Sequence, residues 1–350
     1  MKVLHLLSTN KFSGAENVAC QIIKLFDKDK EVSMAYCSPQ GEIANTLLDK
    51  GVDFFSINKL SVKELKRVVN EFQPDIIHAH DMKASFYASF LSKKIKIVSH
   101  IHNSDFSARK FSIKSLLYRW SARKIEKIVW VSNSCLDTYY YSNKVRAKSI
   151  VLKNVIDTAE VKEKLALDEN KYDFDIVYVG RLANPKNPLR LIDVIQGVCQ
   201  RDNSIKVAVV GAGDLMDETI LKAKEYNLDN NVTFFGFLSN PYKILSSSKI
   251  MIMTSDREGL PMVALESFSL GVPIVSTPTD GMCDLIKDGV NGYLCNTNEQ
   301  FIDNIMTLLG DEKLYETLSA SCIETIKTEF DKDEYKKVIF AVYQSVSSGV

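Results

Sequence analysis

The stretch MTSDREGLPMVALESFSLGVPIVSTPTDG, residues 253–281, joins the end of a strand, a polar loop, a helix and a second strand. Its loop carries Glu258 and Gly259, and Pro261 stands where it would open a helix that contains Glu266. A strand, loop and helix in this order form a geometry that binds phosphate at the helix start. The segment therefore predicts an α/β fold with a parallel sheet and an anion site at its carboxyl edge.

Strand and helix patterns alternate on both sides of this stretch, as expected for parallel sheets. In the first half of the chain, helical periodicity is predicted over residues 15–26, 43–48, 62–72, 83–91 and 112–125. In the second half, the predicted strands are DIVYVG, KVAVVG, VTFFG, KIMIMTS, PIVST and GYLC. A long helical stretch, roughly residues 299–345, closes the chain.

A polar segment separates two such series, as a hinge between domains would. It runs from Ser149 to Asp173 and lacks strand signals. A chain of 350 residues is also long for one hydrophobic core and comfortable for two. We therefore predict a first domain over residues 1–160, a second over 170–328, and a C-terminal helix over 329–350 that returns to the first domain.

Composition excludes several classes of protein. Hydrophobic residues make up 45% of the chain, and Lys plus Arg and Asp plus Glu both number 44, so no net field attracts nucleic acid. The seven cysteines are odd in number and form no CxxC pair, which favours free thiols in a reducing compartment. No signal peptide or membrane-spanning run is evident, so a cytoplasmic protein is expected.

Two carboxylates and two cations are candidate ligand-binding residues. Glu258 and Glu266 would repel a diphosphate, so hydroxyl groups are their natural partners. Arg181 and Lys186 follow a buried strand in YVGRLANPKNPLRLI, where two cations suit a diphosphate. Nucleotide sugars offer both kinds of group. Taken one segment at a time, surface glutamates and a solvated basic loop remain equally open alternatives.

The second half closely resembles the C-terminal domain of glycosyltransferase family 4. The resemblance covers nearly all of residues 175–295 and is carried by GRL with a following KN, VGAGD, FFGF, EGLPMVALES, GVPIVST and DGVNGYL. It implies the GT-B fold, in which two Rossmann-like domains with parallel sheets face each other across a cleft. It also implies retention of anomeric configuration, a UDP-sugar donor bound by the second domain and an acceptor bound by the first.

Site roles follow from the same resemblance. Glu258 is expected at the donor sugar, Glu266 at the ribose, and Arg181 and Lys186 at the diphosphate, so that side-chain cations and a helix end replace a metal and no cofactor is needed. The rest of the expected donor site is Gly14 in the loop after the first strand, Gly259, Leu260 and Pro261 before the helix, and Gly236 and Phe237 near the base. We interpret Phe235, Gly236 and Phe237 as mostly core residues for which a base contact stays open.

The resemblance places the acceptor-side active centre at His102, with His100 on the same face of the strand but at a different depth. A structural histidine is the alternative. His78 and His80 are expected to support the sheet end, with His80 as a further candidate for the cleft. Val155 stands where the family's interdomain segment usually has glycine, between Asn154 and Asp157, which match it.

Three other patterns favour different interpretations. VVGAGDL lacks the third glycine of a dinucleotide-binding loop, and DFD at residues 173–175 mimics a metal-binding DxD but lies at the start of a strand. Residues 109–127 carry seven basic side chains against Glu126, with Ile113, Leu116, Leu117 and Trp120 at helical spacing. This segment either packs its apolar stripe on the domain or lies on the anionic inner face of a membrane.

The sequence thus predicts transfer of a hexose or N-acetylhexosamine from a nucleotide sugar to a saccharide acceptor. A lipid-linked acceptor in surface polysaccharide synthesis (O-antigen, capsule or exopolysaccharide) is the expected setting. The alternative is a catalytically silent subunit of a polysaccharide assembly complex that binds nucleotide or glycan without turnover.

Overall fold

The structure is a computed structural model that describes residues 1–11, 14–102 and 106–348. It divides into two compact units, Met1–Val155 with Asp331–Val350 and Ile156–Phe330. The first unit thus ends five residues before the predicted boundary at 160, inside the polar segment.

The first unit contains a seven-stranded parallel sheet of order β3-β2-β1-β4-β5-β6-β7. Its strands are β1 (Lys2–Leu6), β2 (Ser33–Pro39), β3 (Phe54–Ile57), β4 (Ile76–Ala79), β5 (Lys96–Ile101), β6 (Lys127–Trp130) and β7 (Ser149–Val151). The helices between them are α1 (Gly14–Phe26), α2 (Ile43–Asp49), α3 (Val62–Phe72), α4 (Met82–Ala88), α5 (Ile113–Ala122), α6 (Asn133–Asp137) and α7 (Ser142–Val145). Strand β7 was missed, because its three partly buried residues lie in the segment that we interpreted as a hinge.

The second unit repeats the arrangement with a six-stranded parallel sheet of order β10-β9-β8-β11-β12-β13. Its strands are β8 (Phe174–Val179), β9 (Val207–Val210), β10 (Val232–Gly236), β11 (Ser248–Met253), β12 (Ile274–Ser276) and β13 (Gly292–Leu294). Its helices are α8 (Thr158–Ala166), α9 (Pro188–Arg201), α10 (Met216–Glu225), α11 (Tyr242–Ser246), α12 (Met262–Ser269), α13 (Asp280–Leu285), α14 (Asn298–Gly310) and α15 (Glu312–Glu329).

The last helix, α16 (Lys332–Ser348), belongs to the first unit and packs on α1 and β5. The helical stretch predicted over 299–345 is therefore three helices, of which two lie in the second unit and one in the first. Asp311 caps α15 by accepting from the N–H of Leu314, which explains one of the breaks.

Local sequence accounts well for individual helices. The side chain of Ser61 caps α3 at Glu64, and Leu65, Val68 and Phe72 repeat at helical spacing and are buried. The helix ends where Gln73 adopts a left-handed conformation. Helix α3 therefore covers the sheet with the residues that its periodicity predicts.

Both sheets have a topological switch point, where the connections leave two neighbouring strands in opposite directions. In the first unit it lies between β1 and β4, and in the second between β8 and β11. Open α/β sheets bind ligands outside the carboxyl ends of the strands at this point. The loops after β8 and β11 are thus the expected place for a ligand of the second unit.

Candidate active site

Three loops lie side by side at the carboxyl edge of the second sheet. The N–H of Gly180 donates to Val210 (2.9 Å), that of Leu182 to Ala212 (3.1 Å) and that of Gly211 to Gly236 (2.7 Å). These bonds extend the ladder beyond the strands and hold the loops after β8, β9 and β10 together. The backbone that carries Arg181 is fixed as a result.

The glycines of VVGAGDL are required by this loop packing. Gly211 has a φ of 139°, and a Cβ on it would overlap the carbonyl oxygen of Gly180. A Cβ on Gly213 would overlap the carbonyl oxygen of Leu182. Close approach of two backbones therefore explains the glycine pair without a dinucleotide.

Lys186 and Glu258 form an ion pair at the switch point. Lys186 Nζ lies 2.5 Å from Glu258 Oε1, and the hydroxyl of Ser255 donates to the same oxygen at 2.6 Å. Their side chains are 21% and 9% exposed. Because an ammonium group has three N–H donors, the bond to Glu258 leaves two for other acceptors. Lys186 can therefore hold Glu258 and bind an anion at once.

The turn that carries Lys186 is bonded to the loop after β11. Asp256 accepts from the side-chain amide of Asn187 (3.0 Å), and its N–H donates to Pro185 (3.1 Å). The hydroxyl of Thr254 donates to the carbonyl groups of Lys186 and Asn187. Sequence reasoning missed these supporting residues, although Asn187 before Pro188 is a recognisable helix start.

Asn187 sits in a left-handed conformation and caps α9 by accepting from the N–H of Arg190. Helix α12 begins differently. Its first residue follows Pro261, and no side-chain hydrogen bond caps it. The N-terminus of a helix without a cap offers N–H groups and a partial positive charge to an anion. The start of α12 thus has the properties expected of a phosphate site.

Gly281 on α13 supports the loop before α12. Its N–H donates to the carbonyl of Glu258 (3.3 Å), and a Cβ on it would overlap the carbonyl oxygen of Gly259. The loop over Gly259, Leu260 and Pro261 is therefore held from behind by a position that accepts only glycine.

Glu266 lies on α12, where the hydroxyl of Tyr242 donates to its Oε1 (3.1 Å). Burial, followed by the charge of Glu266, raises the pKa of Tyr242 well above its usual value. Tyr242 is therefore a fixed donor that orients this carboxylate. It was missed because it lies 24 residues away in sequence.

Arg181 and Phe237 are exposed. The guanidinium of Arg181 makes no ion pair within the described part of the chain, and its carbonyl accepts from the hydroxyl of Tyr178 (3.2 Å). Phe237 is 76% exposed, next to Gly236 at the end of β10. Our interpretation of Phe237 as a core residue was wrong, because the chain has already left the sheet when it reaches this residue.

Gly14 is the first residue of α1 and is exposed. A Cβ on Gly14 would meet no atom within 4 Å, so packing does not require glycine there. The preceding Phe12 and Ser13 of the glycine-containing loop lie outside the described residues. Nearby, the hydroxyl of Thr9 donates to the buried Glu16 (2.6 Å), an interaction that the sequence did not suggest.

The histidines of the first unit form one cluster on a single face of the sheet. Nδ1 of His80 lies 3.0 Å from Nε2 of His102, and Nε2 of His80 lies 2.8 Å from Nδ1 of His5. His78 bonds instead to the hydroxyl of Tyr343 on α16 (2.8 Å). His100 is fully buried and His102 only partly, so the two differ in depth on one face as predicted.

His102 has a neutral ring at physiological pH. Burial lowers its pKa to about 3, and the side chain of Asn154 acts in the opposite direction. A neutral imidazole donates one hydrogen bond through one nitrogen and accepts one through the other, but it carries no positive charge that could stabilise an anionic leaving group. Two groups of three rings bring their nitrogen atoms close enough to share a metal ion. One group is His5, His78 and His80, and the other is His80, His100 and His102.

The apolar stripe of α5 faces solvent. Ile113 is 79% exposed, and Leu116, Leu117 and Trp120 are exposed as well, whereas the helix buries mainly serines, Tyr118 and Ala122. The interpretation in which this stripe packs on the domain was therefore wrong. Small and hydroxyl-bearing residues make the contact instead. No helix in the described part of the chain is long and apolar enough to cross a bilayer.

Leu116, Leu117 and Trp120, together with Phe86 on α4 and Phe90 just after it, line an open apolar pocket with a volume of about 530 Å³, which we call the α5 surface. Arg119 and Arg123 border it, and the ammonium of Lys124 lies 3.8 Å from the ring centre of Trp120. The α5 surface thus combines exposed apolar area with positive charge.

At the start of β8, Asp173 and Asp175 pair with Lys206 and Lys249. They lie at the opposite edge of the sheet from Glu258, so the DFD segment is part of a surface ion-pair group. This agrees with its interpretation as a chance match to DxD.

Comparison with known families agrees with this architecture. The family model for glycosyl transferases group 1 matches residues 157–324, and that for glycosyltransferase family 4 matches residues 12–160. This chain belongs to glycosyltransferase family 4. Its two parallel-sheet α/β domains are those of the GT-B fold, which confirms the fold class predicted from the sequence.

Characterised relatives span most of the chain. A UDP-Gal:α-D-GlcNAc-diphosphoundecaprenol α-1,3-galactosyltransferase of Escherichia coli is 24% identical over 368 residues, which cover 95% of this chain and 93% of the relative. A lipopolysaccharide 1,6-galactosyltransferase of Escherichia coli K12 is 24% identical over 80% of this chain and 79% of its own length. The crystal structure of Anabaena Alr3699/HepE in complex with UDP has a TM-score of 0.84 at 20% identity, covering 99% of this chain and 100% of that one.

Proposed function

We propose that this glycosyltransferase moves a hexose or N-acetylhexosamine from a UDP-sugar to a saccharide hydroxyl, with retention of configuration. One observation carries the proposal: Lys186 and Glu258 meet at the switch point of the second sheet, in the loops that precede α9 and α12. A cation beside a carboxylate suits a ligand in which a diphosphate adjoins a polyhydroxylated sugar.

Each part of the donor then has a partner of matching chemistry. The diphosphate is bound by Lys186, Arg181 and the first N–H groups of α12, and the sugar hydroxyls by Glu258. Glu266, oriented by Tyr242, accepts from the ribose hydroxyls. The remaining donor contacts are proposed for Gly14, Gly236, Phe237, Gly259, Leu260 and Pro261.

In the transfer itself, the bond between C1 and the diphosphate oxygen breaks, and the acceptor oxygen bonds to C1. The proton of the acceptor hydroxyl is transferred to the diphosphate oxygen of the departing UDP. Negative charge builds up on the diphosphate in this step, and fixed positive groups stabilise it most when they need not reorganise. Lys186, Arg181 and the α12 N-terminus supply such groups, so we propose that no divalent metal is required at the diphosphate. His102 contributes a neutral imidazole on the acceptor side.

We propose a lipid-linked saccharide as the acceptor, in surface polysaccharide assembly on the cytoplasmic face of the membrane. The Escherichia coli galactosyltransferase named above uses a diphosphoundecaprenol-linked acceptor, and its product is α-linked, as is expected if an α-linked UDP-sugar reacts with retention. The α5 surface supports the same setting, because apolar side chains bordered by basic ones suit an anionic interface. Residues 109–127 would make the peripheral contact.

The test has two steps. A thermal-shift screen of nucleotide sugars identifies the donor, since a ligand at ~100 times its dissociation constant stabilises by about 2.7 kcal/mol. UDP release is then measured with that donor and a lipid-linked saccharide, without added Mg²⁺ or Mn²⁺. We expect release that depends on the acceptor. Binding without any release would instead identify a silent binding subunit, and dependence on Mg²⁺ would contradict metal-free transfer.

A further inference from the structure

All five histidines of the chain lie in one buried cluster of the first unit. His5 on β1 lies opposite His78 on β4. Alternation along the chain places His80, just after β4, His100 on β5 and His102, just after β5, on the same face. Neighbouring ring centres are 4.2–5.4 Å apart. Burying five imidazole rings at the centre of one sheet face costs desolvation free energy that apolar side chains would not cost.

Several ring nitrogens of this cluster have no hydrogen-bond partner. Both nitrogens of His100 are buried and unbonded, as are Nε2 of His5 and Nε2 of His78. Each unsatisfied buried polar atom costs roughly 1–3 kcal/mol. No carboxylate within the described residues bonds to any of the five rings. Among the described residues, the cluster therefore has no acidic partner that would explain it as a charged network.

Existing hydrogen bonds prepare one nitrogen of His80 to bind a cation. When the Nε2–H of His80 donates to Nδ1 of His5, Nδ1 of His80 is left as a lone pair directed towards His102. An outer hydrogen bond of this kind fixes the tautomer of a metal-binding histidine. His5 therefore occupies the position of an orienting partner.

We propose that His80, His100 and His102 bind a transition-metal ion, with Zn²⁺ as the expected occupant. One nitrogen from each ring lies within 4.8 Å of the other two. Zn–N bonds of 2.0–2.1 Å in a tetrahedral site separate the ligand nitrogens by roughly 3.3 Å, so small ring rotations complete the site. Imidazole nitrogen is a preferred ligand of Zn²⁺ and of Cu²⁺ and Ni²⁺.

The alternative group of His5, His78 and His80 is less suited. Its three rings are buried, and Nδ1 of His78 already bonds to the hydroxyl of Tyr343. His102, in contrast, is only partly buried and directly follows the end of β5, so the proposed group lies nearest to the carboxyl edge of the sheet.

The site would link the ends of β4 and β5 and set the orientation of His102. It lies wholly in the first unit and includes none of the residues proposed for the diphosphate. It departs from our prediction of a protein without metal, but it concerns the first domain and does not rest on the proposed transfer reaction. Its test is accordingly one of metal binding, so its failure would leave that reaction untouched.

The experiment measures metal binding to the full chain after any affinity tag has been removed. Because the native chain has no other histidine, imidazole ligands can come only from this cluster. Chelator-treated protein is titrated with Zn²⁺, both folded and during refolding from denaturant, and the thermal transition is recorded. We expect one Zn²⁺ per chain and, at ~100 times the dissociation constant, a rise in the transition of roughly 5–10 °C.

Three variants assign the ligands. His100→Phe removes a ligand while filling the site, and it also removes two unsatisfied nitrogens, so it should fold well and lose the Zn²⁺ shift. His78→Gln should keep the shift. Cys283→Ser should also keep it, which excludes binding by the exposed thiol. With Co²⁺ in place of Zn²⁺, visible absorption of tetrahedral type without thiolate charge transfer is expected.

The proposal is overturned if wild-type protein takes up no Zn²⁺ by either route, or if His100→Phe binds it as tightly as wild type. Loss of binding in His78→Gln with retention in His100→Phe would also overturn it, by moving the metal to the deeper group.

Discussion

The pairing of Lys186 with Glu258 is the residue-scale feature on which the donor site depends. Contacts outside the pair hold both residues, since Ser255 also bonds the side chain of Glu258 and Thr254 bonds the backbone carbonyl of Lys186. The pair is therefore preorganised for binding, and two N–H donors of the Lys186 ammonium group remain available for an anion. Replacing either member separates its contribution to binding from its contribution to the fold.

Lys186→Ala should lower transfer efficiency by roughly 10- to 100-fold, because it removes a charge-assisted contact of about 1.5–3 kcal/mol. The measurement is kcat/KM for UDP release. Lys206→Ala is the matched control, since Lys206 is an exposed lysine whose ion pair with Asp173 lies at the other end of β8. Equal rates in both variants would remove Lys186 from the site.

Glu258→Gln should reduce turnover, while the free energy of unfolding changes by no more than about 1–2 kcal/mol. The ion pair is mostly buried, with side chains 21% and 9% exposed, but the amide oxygen of Gln can still accept from Ser255 and from the ammonium group of Lys186, so only the charge is lost. Turnover and chemical denaturation are measured on the same preparation. A variant that is destabilised but has normal turnover would show that Glu258 is structural.

At the scale of elements, the start of α12 depends on contacts from behind it. Gly281 on α13 supports the loop before α12. The glycines after β9 allow the loop that carries Arg181 to pack closely against the loop after β9. Residues that never touch the ligand thus determine the position of those that do. On the first unit, α5 shows the reverse case, in which an apolar stripe is left unburied.

Gly281→Ala should weaken UDP binding at least tenfold, because the added methyl group overlaps the Gly259 carbonyl and displaces the loop before α12. Gly310→Ala is the control, since a Cβ on Gly310 meets no atom within 4 Å. UDP affinity is measured by calorimetry. Unchanged affinity in Gly281→Ala would show that this loop does not contribute to the donor site.

Replacing Leu116 and Leu117 together by Asp should reduce binding to anionic vesicles by roughly tenfold or more without unfolding the protein. Both side chains are exposed in the α5 surface, so the change removes apolar contact and adds repulsion. Leu221→Asp on α10 is the control, because Leu221 is another exposed leucine. Vesicle sedimentation that is equal for both variants would contradict membrane contact through α5.

At the scale of the whole molecule, the chain crosses back to complete its first domain. Helix α16 follows the entire second unit, yet Tyr343 bonds to His78 and packs against Phe26 of α1. The first domain is therefore complete only when α16 has been synthesised. Its stability should depend on residues more than 300 positions from its start.

Tyr343→Phe should destabilise the first unit by about 1–3 kcal/mol, because Nδ1 of His78 is left buried without a partner. Tyr335→Phe on the same helix is the matched control. The hydroxyl of Tyr335 is buried and has no partner, so its removal should be neutral or stabilising. Denaturant unfolding distinguishes them, and equal effects would show that the bond to His78 contributes nothing.

By itself, the sequence determined the features that are local. The periodicity of Val62–Phe72, the buried strand before Arg181 and the spacing of Glu258 and Glu266 are all encoded within short windows. Helix and strand periods, caps and turn residues act over a few residues, so their pattern suffices to predict the elements and the family.

Only the tertiary structure decided which elements meet. Lys186 contacts Glu258 across 72 residues, and His5 contacts His80 across 75. The exposed stripe of α5 and the return of α16 are likewise absent from local patterns. Hydrophobicity indicates that a face will be buried but not against which partner, because strand order and register are properties of the assembled sheet.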